Sequence, residues 1–305
     1  MTEAIKQALR VARHAVVDLY LAGGNGRIYW PYRLQPARQG DTTPSVRRKS
    51  TKYILDSGLD DDITNEDLLR WAEERDPDYI IPNDEVRDGD TSSEEAITTT
   101  AERVASFLDS VEERDLNATV LVPLQPPYPE HYKHLIEEYP RQARRRHFAL
   151  GGLKAATPEQ QLEHIYSFRE SVGWDAYAHG FGLGFSKPLI KALRDDPGLL
   201  DSVDASTVQQ HANSGEIAGT SRKPVYVGPA TGDEVATVTS HYIGAEMTDV
   251  ARMLAPSITD DDEIEANWEK LNVPTPDHID TTAESVSETQ ETFSSFAQSA
   301  SDTDD

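Results

Sequence analysis

The sequence predicts an α/β fold, a (β/α)8 TIM-like barrel, on two observations. Two short β-branched and aromatic runs, Lys52-Tyr-Ile-Leu-Asp56 and Pro77-Asp-Tyr-Ile-Ile-Pro82-Asn-Asp84, each end in a carboxylate, with an amphipathic segment between them. Strand, helix and strand, with an acid at each strand's carboxyl end, is how such a barrel presents a catalytic face. Further apolar runs alternate with helical patterns of about ten residues or more, the sign of parallel βαβ units. An open doubly wound sheet is the rival arrangement of the same units.

Taken in order, residues 2–18 place Ile5, Leu9, Ala12 and Val16 on one face and read as a helix. Residues 19–22 read as a strand running into the Gly23-Gly24-Asn25-Gly26 turn. Residues 27–51 are polar, contain Pro31, Pro36 and Pro44 and show no period, so they read as a long loop. Within it, Tyr29-Trp30-Pro31-Tyr32 either stacks on a base or tucks its rings under the loop. After the strand at 52–56 and the strand ending near Ile81, strands are expected at 118–125, 147–153, 176–182 and 199–204. Helices are expected between them at 92–114, 130–145, 158–172 and 188–195. The count approaches eight strands if 225–226 or 236–243 supplies the last one. From Thr281 onward Ser, Thr, Glu, Gln and Asp dominate, so residues 1–280 read as the barrel and 281–305 as a disordered acidic tail.

Composition sets the surroundings. The formal net charge is −25, with nine Lys against twenty Arg and 54 acids. Acid richness with few lysines keeps a protein hydrated in concentrated salt, so the chain reads as a cytoplasmic protein of a halophile. There the screening length is roughly 3 Å at 1 M, and the negative charge says little against a nucleic-acid partner. Simple electrostatic attachment to phosphate is disfavoured, because counterion release loses its benefit in salt. The absence of cysteine removes disulfides, thiol catalysis and cysteine zinc sites. No run of eighteen apolar residues occurs, and the N-terminus reads as an amphipathic helix rather than a signal peptide, so no membrane partner is expected.

The candidate chemistry lies at the predicted strand ends. Asp56, Asp84 and Asp204 each close an apolar run, and Gln125 closes Val120-Leu-Val-Pro-Leu in the same way. Gly151-Gly152-Leu153 and Gly180-Phe181-Gly182 close two others, where glycine lets a flat ligand approach the backbone. An amide, carboxylates and exposed backbone suit a polar heterocycle. Any one of these acids, taken alone, could equally cap the next helix. His131 and His134 lack a third ligand and read as a surface pair.

These motifs, in this order, resemble the tRNA-guanine transglycosylase superfamily. Asp56-Ser57-Gly58 is similar to the start of its Asp-Ser-Gly-Gly-Phe-Gln motif, and Asn83-Asp84 to its base-reading Asp. Gln125 resembles the Gln of its Val-Gln-Gly segment, and Ala149-Leu150-Gly151-Gly152-Leu153 its Ala-Leu-Gly-Gly-Leu loop. His179-Gly180-Phe181-Gly182 is similar to its Met-Gly-Val-Gly turn, and Ser202-Val203-Asp204 to the segment carrying its nucleophile. The resemblance spans about residues 19–227. It departs where Gly58 continues into Leu59-Asp60-Asp61, in the missing cysteine zinc site, and in the short remaining length, into which no RNA-binding domain fits.

Those departures point to the DNA branch, the 7-deazaguanine DNA transglycosylases of bacterial gene clusters and viruses. The resemblance implies exchange of guanine in DNA for free 7-cyano-7-deazaguanine, without cofactor or metal. Asp204 would be the nucleophile and Asp56 the proton-moving partner, with Asp84, Gln125, Ser57, Gly58, Gly151, Gly152 and Leu153 around the base. Lys154, Lys187 and Arg222 follow strand ends and would meet phosphate, whereas Arg47-Arg48-Lys49 and Arg144-Arg145-Arg146 precede strands and fall at the opposite end. Protein partners from a DNA-modification system also fit this reading. A tRNA substrate, or a silent nucleic-acid-binding barrel subunit, remains the alternative.

Overall fold

The computed structural model describes residues 10, 12–23, 30–38, 47, 50–58, 63–85, 92–114, 116–183, 186–205 and 208, the strand backbones at 216–217 and 225–226, and positions 243, 247–248 and 250–255. Nine strands form one sheet: β1 (Asp18–Ala22), β2 (Tyr32–Pro36), β3 (Lys52–Asp56), β4 (Tyr79–Ile81), β5 (Thr119–Val120), β6 (Val122–Leu124), β7 (His147–Leu150), β8 (Tyr177–Gly180) and β9 (Ser202–Ala205). Every pairing is parallel, in the order β5-β4-β3-β2-β1-β9-β8-β7-β6. The two ends of that order are consecutive pieces of one strand. They part only at Leu121, whose N–H donates to Ile80 O at 2.9 Å. The sheet therefore closes on itself, and the nine strands occupy eight positions around an α/β barrel of TIM type.

The intervening helices are α1 (Asn65–Arg75), α2 (Ser93–Glu112), α3 (Tyr128–Glu138), α4 (Pro140–Ala143), α5 (Pro158–Val172) and α6 (Lys187–Asp195). Their starts are written locally. Thr64 with Asp67 and Thr157 with Gln160 form reciprocal capping boxes for α1 and α5, and Ser92 and Ser186 cap α2 and α6. The single helix expected at 130–145 is instead two, because Pro140 has no N–H to continue α3 and opens α4 at its first position. Among the described residues no helix is long and apolar enough to cross a membrane.

Strand alternation divides the side chains into two sets. Outward-facing Leu19, Leu21, Tyr53, Leu55, Ile80, Val120, Val122, Phe148, Leu150, Ala178 and Val203 are buried beneath the surrounding layer. The other set fills the lumen: Tyr79 of β4 stacks on Tyr177 of β8, centroids 5.3 Å apart, although those strands are not neighbours. At the amino ends of the strands Lys52 pairs with Asp18 at 2.5 Å beside Tyr32. One layer higher, Tyr20 contacts Tyr32 and His179. Asp56 and Asp204 lie on the lumen side nearest the carboxyl ends.

Two expectations are corrected. Residues 32–36, read as loop, form β2 between β1 and β3. Its outward side chains Arg33 and Gln35 are polar yet fully buried: Arg33 Nη2 donates to Gly23 O at 3.0 Å, and Gln35 accepts from the Tyr53 hydroxyl at 3.0 Å. Hydrophobic alternation, the usual strand signal, is therefore missing. The barrel is completed by this strand and not by 225–226, which pairs antiparallel with 216–217 in a separate ladder. Trp30, one of the loop aromatics, is tucked in, its indole N–H donating to Leu19 O at 2.7 Å. The tail at 281–305 lies outside the described residues.

Candidate active site

Asp56 is the last residue of β3 and Asp204 the third of β9, so both lie at the carboxyl rim. Asp84 follows β4 by three residues. The rim is held by short tethers between loops. The Ser57 N–H donates to Ile81 O at 3.1 Å, the Glu85 N–H to Thr100 Oγ1 at 2.9 Å, and Arg103 Nη1 to Asp84 O at 2.7 Å. Gly58 sits at φ 82°, a conformation that favours glycine, and its N–H bonds to the Asp56 carboxylate.

Asp56 feels both of the other carboxyls. Asp56 is pushed up to about 7, chiefly by desolvation and then by the neighbouring charges of Asp84 and Asp204. Asp84 is raised to about 6 by desolvation, against hydrogen bonds that include one from Gln125. Asp204, almost wholly buried, is raised to about 6 by desolvation, opposed by backbone N–H bonds and by Lys154. Its Oδ1 accepts the Gly182 N–H at 2.6 Å, with Gly182 at φ 60°.

Gln125 is the hub of the other half of the rim. Its Nε2 donates to Asp84 Oδ2 at 2.5 Å, its backbone N–H donates to His131 Nδ1 at 2.8 Å, and its buried Oε1 has no partner among the described residues. A Cβ on Gly151 would lie 2.7 Å from Gln125 Nε2, and one on Gly152 would lie 2.7 Å from the Pro126 ring. The two glycines are therefore space for the amide and its loop. Gly151 has both backbone groups engaged, donating to Leu124 O at 2.9 Å and accepting the Tyr128 hydroxyl at 2.5 Å. A ligand is left the Gly152 and Leu153 amides, which open a short 3-10 turn (Leu153–Ala155) and have no partner within it. The Leu153 side chain is buried in the fold, and its carbonyl accepts from Gln161 at 2.9 Å.

The structure thus gathers Asp56, Asp84, Asp204, Gln125, Gly151 and Gly152 at one barrel mouth, with Ser57, Gly58 and Leu153 in the loops beside them. Lys154 is exposed, and its stem runs alongside Gly182. Lys187 begins α6, on the carboxyl side of β8. Arg222 lies outside the described residues. At the other end, Arg47 pairs with Asp78 and Arg146 bonds Asp175 and Val172 O. No group of three His, Asp or Glu is placed to hold a metal ion among the described residues.

His131 overturns the surface-pair expectation. It is fully buried, pushed down to about 3 by desolvation, and so neutral, with Nδ1 as the acceptor that fixes Gln125. His179 is the second residue missed: buried, also pushed down to about 3, and 3.9 Å from Asp204. The only sequence signal for either was position, His131 six residues after Gln125 and His179 just before a glycine turn. No protein-family model matches the chain, and no curated protein matches it.

Proposed function

We propose that this protein exchanges bases in DNA, replacing guanine with 7-cyano-7-deazaguanine through a covalent intermediate on Asp204. The reading rests on one convergence: a buried carboxylate held by Gly182, a second carboxyl poised near neutrality, and the hydrogen-bonded Asp84–Gln125 pair, all at one barrel mouth. In the first step Asp204 attacks the anomeric carbon, the bond to guanine N9 breaks, and Asp56 supplies a proton to the departing base. In the second, the incoming deazaguanine gives its N9 proton to Asp56 and displaces Asp204. Two displacements retain the sugar configuration, as in retaining glycosidases.

Asp84 accepts from the N1–H and amino group of guanine. Gln125 Nε2 keeps a second hydrogen for O6 beyond the one given to Asp84. A duplex hides the anomeric carbon, so the target is flipped or single-stranded. Lys154, Lys187 and Arg222 meet its phosphates. DNA is preferred over tRNA because the chain has no cysteine for the zinc site found in the tRNA enzymes it resembles.

The test is incubation in molar salt with labelled 7-cyano-7-deazaguanine and either DNA or tRNA. Label in DNA is expected. Label in tRNA alone would overturn the DNA substrate, and label in neither would overturn base exchange.

A further inference from the structure

Beneath Asp204 runs a chain of polar groups through the buried centre of the barrel. Tyr177 OH and Ser202 Oγ are 2.7 Å apart, Ser202 Oγ and His179 Nδ1 are 2.8 Å apart, and His179 Nε2 stands 3.9 Å from Asp204 Oδ1. His179 and Ser202 are fully buried. Phe181 and Tyr20 meet the imidazole edge to face at 4.9 and 5.8 Å, which fixes its plane. Nε2 has no hydrogen-bond partner among the described residues, which costs free energy in a buried polar atom.

We infer that His179 is a positioning residue for Asp204, a buried donor that stabilises the carboxylate as it leaves the sugar; this rests on the reading of Asp204 as nucleophile. The tautomer follows from charge. An ionised Asp204 repels a lone pair on Nε2 and favours a proton there. Nδ1 then accepts from the Ser202 hydroxyl, and Ser202 accepts from the Tyr177 hydroxyl. The chain has one direction, Tyr177 to Ser202 to His179 to Asp204.

At 3.9 Å the last link is too long for a hydrogen bond, and a shift of about 1 Å closes it. Catalytic contacts commonly tighten in this way when substrate binds. A donor on a carboxylate makes it a poorer nucleophile and a better leaving group. His179 therefore favours the second displacement, in which the Asp204–sugar ester bond breaks, its electron pair returns to the carboxylate, and the deazaguanine nitrogen forms the new bond.

The experiment follows the protein–DNA adduct by intact mass spectrometry, first without acceptor base and then after adding 7-cyano-7-deazaguanine. In His179→Leu the adduct should form at least as fast as in the wild-type protein and discharge about tenfold more slowly, the loss of one charge-assisted hydrogen bond. His179→Gln, whose side-chain amide can place an N–H near the former Nε2, should restore discharge. Ser202→Ala leaves the imidazole but frees its tautomer, and should slow discharge in the same direction, about two- to fivefold. It supplies the measurement if His179→Leu does not fold. Unchanged discharge in a folded His179→Leu, or in Ser202→Ala when that is the folded variant, overturns the role of His179 while the wild-type adduct upholds Asp204. A wild-type protein that exchanges bases without any adduct overturns both.

Discussion

Asp56 is raised from 3.8 to about 7, so the folded protein holds its proton where the unfolded chain has lost it. Stability then falls as pH rises from about 4 and levels off above about 7. Asp56→Asn removes this penalty. Its stability should match wild type below pH 4 and exceed it increasingly up to about pH 7, by roughly 1–3 kcal/mol once solvent screening of the half-buried group is allowed for, and its melting temperature should rise above wild type over the same range. Equal melting temperatures at pH 8 would show that Asp56 is not destabilised by its surroundings. Asp204→Asn keeps an oxygen for the Gly182 N–H and should fold; under the proposed mechanism it should lose base exchange by about three orders of magnitude or more, because an amide forms no glycosyl ester. Near-normal exchange in that variant would remove Asp204 from the mechanism. The acids were legible because each closes an apolar run. His131 and His179 were not, since a histidine carries no periodic signal and becomes a neutral core group only once the fold has desolvated it.

At the scale of elements, legibility tracked hydrophobic pattern. The strand at Lys52–Asp56 and the helix at Pro158–Val172 are plain in the sequence because Tyr53-Ile54-Leu55 is a short continuous apolar run, buried throughout, and Ile165, Phe168 and Val172 follow the helical period. β2 escaped because Arg33 and Gln35 occupy its outward positions and prolines flank and end it. Their hydrogen bonds to Gly23 O and Tyr53 belong to the tertiary structure, which local pattern does not encode. The β7 end shows how an element feeds the site. An added Cβ at Gly151 falls 2.7 Å from Gln125 Nε2 and must displace the amide from Asp84, whereas the main chain there needs no glycine conformation. Gly151→Ala should therefore fold with a near-normal melting temperature and bind free guanine at least about tenfold more weakly, since a site built to hydrogen-bond a polar edge loses heavily when its partners move. Calorimetry with the free base reads this directly. Unchanged affinity would place base recognition away from Gln125.

The whole molecule carries 54 acids against 29 Lys and Arg, so 25 negative charges are left without a neutralising Lys or Arg charge. Two effects of salt oppose each other. Surface pairs such as Arg114 with Glu66 and Glu73, or Arg141 with Asp109 and Glu112, weaken as salt rises, but exposed pairs are worth about 0–1 kcal/mol each. Repulsion among the unpaired acids acts over the whole surface and also weakens, as the screening length drops from about 10 Å at 0.1 M to about 3 Å at 1 M. The larger effect is repulsion, because the excess of one sign exceeds what the pairs can offset. The melting temperature should therefore rise between 0.1 M and 2 M potassium chloride, most steeply at the low end where screening changes fastest. Scanning calorimetry across that range decides it: a melting temperature that stays flat or falls would mean that the acids do not strain the barrel, and that the composition has a cause other than life in salt.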